Sequence, residues 1–177
     1  MRRPLFPVIL MGMIFLLLHS AAGALAMQGH VPLPEGLRVD TILIEKAAHL
    51  LTLYGDGQKI KSYRIALGRK PQGPKVSEGD MRTPEGRYRI DFRNGESRFH
   101  RALHISYPNA HDRRQARSLG VSPGSDIMIH GLGEQFAWLG RYHHLVDWTE
   151  GCIAVTDEEI EEIWRLVPDG AGVVILP

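Results

Sequence analysis

Short strand-like runs of apolar and β-prone residues recur along the chain after residue 38, and they predict a mainly β domain. A Gly-Asp-Gly-Gln segment at residues 55–58 separates two of these runs and is typical of a tight hairpin turn. Strands and helices do not alternate as in a Rossmann-type fold, so the pattern favours a sandwich or barrel-like sheet. The predicted strands are residues 39–45, 49–54, 60–67, 87–92, 103–107, 126–130 and 172–176.

Two short helices complete the predicted fold. The clearer one covers residues 157–167, where Thr156 and Glu159 have the spacing of a capping box and apolar residues recur every three to four positions. The other covers residues 112–119, with Asp112 as the candidate cap.

The first 26 residues have the layout of a secretory signal. Arg2 and Arg3 precede an apolar run at residues 5–18, and the segment Ala24-Leu25-Ala26 provides a small-residue cleavage site. We therefore expect export to the periplasm or cell envelope, with an uncleaved membrane anchor as the alternative. The expected division is a signal peptide, an extended lead-in and one catalytic domain, at residues 1–26, 27–37 and 38–177 respectively.

Charge is nearly balanced, with 21 Lys and Arg against 20 Asp and Glu, which gives no reason to expect a nucleic-acid partner. The charges are nevertheless segregated. Residues 61–117 hold 14 basic and 6 acidic side chains, whereas residues 126–177 hold 2 basic and 10 acidic ones. We expect these two parts to pack against each other, with a basic strip that recruits an anionic polymer as the alternative.

The chain contains one cysteine, Cys152, which directly follows Gly151. An exported protein with a single thiol forms no internal disulfide, so this residue is either buried and inert or retained for its reactivity. A glycine before a nucleophile allows a tight turn that can direct backbone N–H groups at one point, as an oxyanion hole requires. The residues around Cys152 leave both interpretations open.

His130 follows an apolar strand and precedes Gly131, so its ring is expected at a sheet edge. An imidazole beside a thiol can take its proton and later return it to a leaving amine, although a core histidine is the alternative. His143 and His144 raise another hypothesis, a zinc site shared with His130 and Cys152. Adjacent histidines rarely reach one ion, and no paired-cysteine spacing supports it.

Four ordered motifs within residues 38–177 resemble the L,D-transpeptidase (YkuD-type) family of peptidoglycan enzymes. They are Lys-Ser-Tyr-Arg-Ile-Ala-Leu-Gly at 61–68, Thr-Pro-Glu-Gly at 83–86, Ile-His-Gly at 129–131 and Thr-Glu-Gly-Cys-Ile at 149–153. The resemblance implies a cysteine acyltransferase in cell-wall cross-linking or remodelling, with the family's mainly β sandwich or barrel sheet and no metal or organic cofactor.

Carried over to this sequence, the family's roles make Cys152 the nucleophile and His130 its base, oriented by the backbone carbonyl of Gly131. Backbone N–H groups of Gly151 and Cys152 would form the oxyanion hole. The implied donor is a peptidoglycan tetrapeptide stem that loses its terminal D-Ala, after which an amine acceptor resolves the thioester. The alternatives are a hydrolase that passes the acyl group to water or releases a wall-attached protein, and a non-catalytic wall-binding module.

Trp148, Thr149, Glu150 and Tyr107 are the candidates for contact with the stem peptide. Three departures from the family pattern bear on the acceptor. Glu150 stands where a His is common, Ala154 stands where an Arg or Asn is common, and the step of 22 positions from His130 to Cys152 is longer than usual. Glu150 is interpreted either as a group that attracts a cationic amine or as a solvated acid.

Overall fold

A sheet of eight strands is the central element of the structure, a computed structural model in which residues 37–177 are described. The predicted signal at residues 1–26 and nearly all of the lead-in lie outside these residues. The strands are β1 (Thr41–Glu45), β2 (Leu50–Gly55), β3 (Gln58–Arg64), β4 (Gly86–Ser97), β5 (His100–Ile105), β6 (Met128–His130), β7 (Ile153–Ala154) and β8 (Gly172–Leu176). The helices are α1 (Ala110–Ser118), α2 (Gly133–Phe136) and α3 (Asp157–Leu166), with a 3₁₀ segment (Ala137–Leu145) after α2.

The strand order is β3-β2-β1-β8-β4-β5-β6-β7, and the sheet curls until its two edges meet. The β1–β8 and β6–β7 pairs are parallel, whereas the other neighbours are antiparallel. Just after β3, Ala66 exchanges two backbone hydrogen bonds with Ala154 of β7, of 3.0 and 2.9 Å. This closure of the edges confirms the mainly β, barrel-like fold class.

Alternation along the strands sorts side chains between the interior and the surface. In β1, Ile42 and Ile44 are fully buried, while the residues on either side of each are partly exposed. The predicted hairpin joins β2 to β3 through Asp56 and Gly57, both with positive φ, of 50° and 72°. Two positive φ values in a two-residue turn match the twist of the strands that they connect.

Both predicted helices form, and the capping box of α3 is confirmed. The Thr156 hydroxyl accepts a hydrogen bond from the Glu159 N–H, and the Glu159 carboxylate accepts one from the Thr156 N–H. The cap assigned to α1 was wrong. Asn109 is the cap, and Asp112 is its partner three residues later, because their side chains accept from each other's backbone N–H groups.

The segregated charges pair across the fold, as expected. Lys61 and Glu162 lie 2.6 Å apart, and Arg101 and Glu161 lie 2.7 Å apart, each pair joining the basic part of the chain to the acidic one. Arg93 also binds the carbonyls of Trp164 and Val167 near the end of α3.

No helix within residues 37–177 combines the length and apolar character needed to cross a membrane.

Candidate active site

A cleft of about 680 Å³ lies where β6 and β7 meet the turn between β4 and β5. Its walls also include part of α2 and the loop that follows β3. Both Cys152 and His130 line this cleft. The structure therefore brings together the two residues that the sequence analysis proposed as a pair.

Parallel pairing of β6 with β7 explains how they meet. His130, the last residue of β6, is paired with Ala154. Cys152 precedes Ala154 by two residues, and residues two apart on an extended chain point to the same face. His130, at the end of β6, and Cys152, just before β7, therefore point to the same face of the sheet, although Cys152 comes 22 positions after His130 in the chain.

His130 is buried and has a defined hydrogen-bond partner. Its Nδ1 lies 2.6 Å from the carbonyl oxygen of Gly131. A carbonyl oxygen only accepts, so Nδ1 carries the proton and donates, which leaves Nε2 as an acceptor in the neutral ring. The ring stacks on Phe99, with 4.4 Å between centroids, and forms a T-shaped contact with Trp148, with 5.8 Å between centroids.

Burial lowers the pKa of His130 to about 4. The hydrogen bond to the Gly131 carbonyl and the charge of Asp157 act in the opposite direction, while the positive charge of Arg98 adds to the lowering. The imidazole is therefore neutral at pH 7 and able to accept a proton.

Cys152 is partly exposed, and its thiol lies 3.5 Å from the backbone carbonyl oxygen of Asp126. Removal of the sulfur from bulk water raises the thiol pKa to about 11, and the Asp126 carboxylate acts in the same direction. The Met128 N–H and the charges of Lys75 and Arg98 lower the pKa of this thiol. The resting pair at pH 7 is thus a neutral thiol and a neutral imidazole.

Thr149 organises the turn that presents Cys152. Its buried hydroxyl accepts from the Gly151 N–H at 3.1 Å and donates to the Cys152 carbonyl at 2.7 Å. The N–H of Gly151, predicted as an oxyanion-hole donor, therefore has a partner within its own loop. Thr149 lines the cleft, but its hydroxyl is engaged by this turn.

The loop after His130 is held by the first residue of α3. One carboxylate oxygen of Asp157 accepts from the N–H groups of Leu132 and Gly133, at 2.6 and 3.1 Å. A Cβ atom on Gly131 would overlap this same oxygen. Asp157 thereby positions the peptide whose carbonyl orients the His130 ring.

We expect Asp157→Ala to lower the free energy of unfolding by about 1.5–3 kcal/mol, because two backbone N–H groups lose a charged acceptor. Glu158→Ala is the matched control, since Glu158 is an exposed acid in the same first turn without these bonds. Chemical denaturation of both variants checks the prediction. Equal losses in the two would show that helix-terminus charge, and not the loop contact, explains the effect.

The remaining stem-peptide candidates separate into two groups. Trp148 and Glu150 line the cleft. The Glu150 side chain is 76% exposed and forms an ion pair of 3.0 Å with Arg69, so part of its charge is already compensated. Tyr107 does not line the cleft. It is buried in the core, where its hydroxyl donates to the Pro123 carbonyl at 2.9 Å.

Sequence reasoning missed Arg98 and Phe99, which line the cleft from the turn between β4 and β5. Phe99 packs directly on the His130 ring, and Arg98 lies over Phe99. A basic residue next to an aromatic one in a turn is common on protein surfaces, so no local signal marks this pair. Its role depends on β5 lying beside β6.

His143 and His144 lie in the 3₁₀ segment, with 5.7 Å between their ring centroids. Neither lines the cleft. Across residues 37–177, no three His, Cys, Asp or Glu side chains are arranged so that they could hold a metal ion.

Comparison with known proteins agrees with the fold and the motifs. Residues 39–175 match the family model described as the L,D-transpeptidase catalytic domain, YkuD. YafK of Escherichia coli K12, named as a candidate L,D-transpeptidase, is 33% identical over 113 residues, which cover 62% of this chain. The match spans only 38% of the length of YafK.

Solved structures give the same picture. The helical cell shape determining protein Pgp2 of Campylobacter jejuni has a TM-score of 0.60 and 26% identity, over 79% of this chain and 48% of Pgp2. An L,D-transpeptidase from Mycobacterium smegmatis shares the fold, with a TM-score of 0.51 and 13% identity, over 77% of this chain and 58% of that protein. Because the family model spans nearly all of the described domain, this chain belongs to the L,D-transpeptidase catalytic-domain (YkuD) family.

Proposed function

We propose that this chain is an exported cysteine acyltransferase that acts on peptidoglycan stem peptides, with Cys152 as nucleophile and His130 as base. One observation carries the proposal. The hydrogen bond from His130 Nδ1 to the Gly131 carbonyl leaves Nε2 as a proton acceptor in the cleft that contains the single thiol of the chain. Export rests on the signal-like residues 1–26.

The reaction begins from the neutral pair. As the Cys152 sulfur attacks the carbonyl carbon of the scissile amide, its proton passes to His130 Nε2. The resulting imidazolium donates this proton to the amine of the departing D-Ala, so the C–N bond breaks and a thioester remains on Cys152. An amine acceptor or water then attacks the thioester, with His130 again taking a proton, and releases the thiol.

Transition-state charge on the carbonyl oxygen requires backbone donors at the Cys152 turn. We assign this role to the N–H groups of Cys152 and Gly151. The Gly151 N–H must then share, or exchange, its bond to the Thr149 hydroxyl when the oxyanion forms. A neutral hydroxyl is a weaker acceptor than a developing oxyanion, which favours that exchange.

Membership of the family supports peptidoglycan as the substrate. The name of Pgp2 concerns helical cell shape, and similarity to it supports a role in cell-wall remodelling. The Arg69–Glu150 ion pair leaves Glu150 less able to attract a cationic amine, so the acceptor is best identified from the products.

The test is to incubate the chain with a disaccharide-tetrapeptide and follow its intact mass. We expect a thioester adduct that maps to Cys152 and is absent from Cys152→Ala. A cross-linked product identifies an amine acceptor, whereas a tripeptide acid identifies water. The proposal fails if the parent forms no adduct; unchanged wall binding by Cys152→Ala would then favour a non-catalytic binding module.

A further inference from the structure

Arg98 is a cleft cation without an anionic partner. The other two cations that line the cleft are already paired, Arg69 with Glu150 at 3.0 Å and Lys75 with Asp80 at 2.9 Å. Within the described part of the chain, Arg98 forms neither an ion pair nor a side-chain hydrogen bond. Its guanidinium carbon lies 4.7 Å from the centroid of the Phe99 ring.

Arg98 lies near the proposed base, His130, which has to protonate the leaving group. The Arg98 guanidinium lies over the Phe99 ring, and Phe99 stacks on His130. The Phe99 ring therefore contacts both the guanidinium and the proposed base. Its charge also lowers the pKa of both His130 and Cys152, which places it within electrostatic range of the two reacting groups.

Substrate chemistry indicates what this cation would meet. His130 must protonate the departing amine, so that nitrogen has to lie beside the imidazole. In a terminal amino acid, the α-carboxylate carbon is about 2.5 Å from the α-nitrogen. A free C-terminal carboxylate is therefore delivered to the His130 side of the cleft, where an unpaired guanidinium can bind it through two parallel hydrogen bonds.

We propose that Arg98 binds the C-terminal α-carboxylate of the donor peptide and so selects stems whose scissile bond precedes the last residue. This inference rests on the proposed function. It predicts that a stem with an amidated C-terminus is a poor donor, because the guanidinium then loses its anionic partner.

The first test measures binding without turnover. In the Cys152→Ala background, calorimetry compares a tetrapeptide stem that has a free C-terminal acid with the same stem as its C-terminal amide. We expect the acid to bind about tenfold more tightly. Arg98→Gln should remove that difference, and Arg98→Lys should retain part of it, because lysine keeps the charge and loses the planar fork.

Arg89→Gln is the matched control, since Arg89 is an exposed arginine of β4 that does not line the cleft, and it should keep the full preference. The proposal is overturned if Arg98→Gln keeps the preference, if it weakens acid and amide equally, or if neither stem binds. Thioester formation on the acid stem is measured separately with Cys152 intact. Acid-selective binding without a thioester would reject the proposed function alone, and a thioester without acid selectivity would reject the role of Arg98 alone.

Discussion

Replacement of His130 with alanine is expected to lower the rate of Cys152 acylation at pH 7 by about 10²- to 10⁴-fold, the usual contribution of a positioned general base. The physical reason lies in the resting state of the pair. With a thiol pKa of about 11, almost no thiolate exists at pH 7, so attack depends on a group that takes the proton during the reaction. His130 is neutral at this pH because its pKa is lowered to about 4.

A pH profile of thiol alkylation separates this role from a structural one. In the parent, the rate should rise first near pH 4, as the His130 ring loses its proton, and again near pH 11, as the thiolate forms. His130→Ala should lose only the first rise. His143→Ala is the matched control, because burial lowers its pKa to about 4 as well, yet it does not line the cleft. Survival of the first rise in His130→Ala would remove His130 from the mechanism.

The second large effect is expected at Gly151. This residue has a φ of 136°, a conformation that side chains rarely adopt, and an added Cβ would lie 2.6 Å from the Arg82 carbonyl oxygen. Gly151→Ala should lower the free energy of unfolding by about 2–4 kcal/mol. It should also slow thioester formation by about 10²-fold, because the turn that aims the Cys152 sulfur must move.

Gly57→Ala provides the comparison for that variant. Gly57 also has a positive φ, of 72°, but an added Cβ would meet nothing within 4 Å. We expect it to cost about 1 kcal/mol and to leave thioester formation unchanged. Chemical denaturation and the rate of adduct formation check both variants. If Gly151→Ala and Gly57→Ala lose equal stability, the Arg82 carbonyl moves aside at little cost. Backbone conformation alone then makes Gly151 necessary.

Local patterns were sufficient for most of the fold. Strand-like runs located seven of the eight strands, and spacing identified the capping box of α3, because both signals depend on neighbours within a few residues. β7 was not predicted as a strand, since two residues, Ile153–Ala154, are too few to show a period. The short α2 and the 3₁₀ segment also lacked a repeating apolar face.

The candidate site was predictable only in part. The motifs around His130 and Cys152 identified the two as a catalytic pair through a family resemblance. The residues around Cys152 alone were equally consistent with an inert buried thiol. Tyr107 shows where the local sequence is insufficient. An aromatic residue near the end of a strand gives the same sequence pattern whether it faces a cleft or the core, and Tyr107 faces the core. Its burial follows from contacts with Tyr88 and the Pro123 carbonyl, which the local sequence does not encode.

The amino-acid sequence by itself therefore determined the mainly β class, seven of the eight strand-forming segments, the α3 cap and the family to which the chain belongs. The tertiary structure decided which side chains share the cleft. The physical reason is strand order: β5, β6 and β7 lie side by side, so Arg98, Phe99, His130 and Cys152 converge from segments far apart in the chain. Desolvation in that cleft then raises the thiol pKa of Cys152 to about 11 and lowers the pKa of His130 to about 4, shifts that depend on the assembled site and on none of its segments alone.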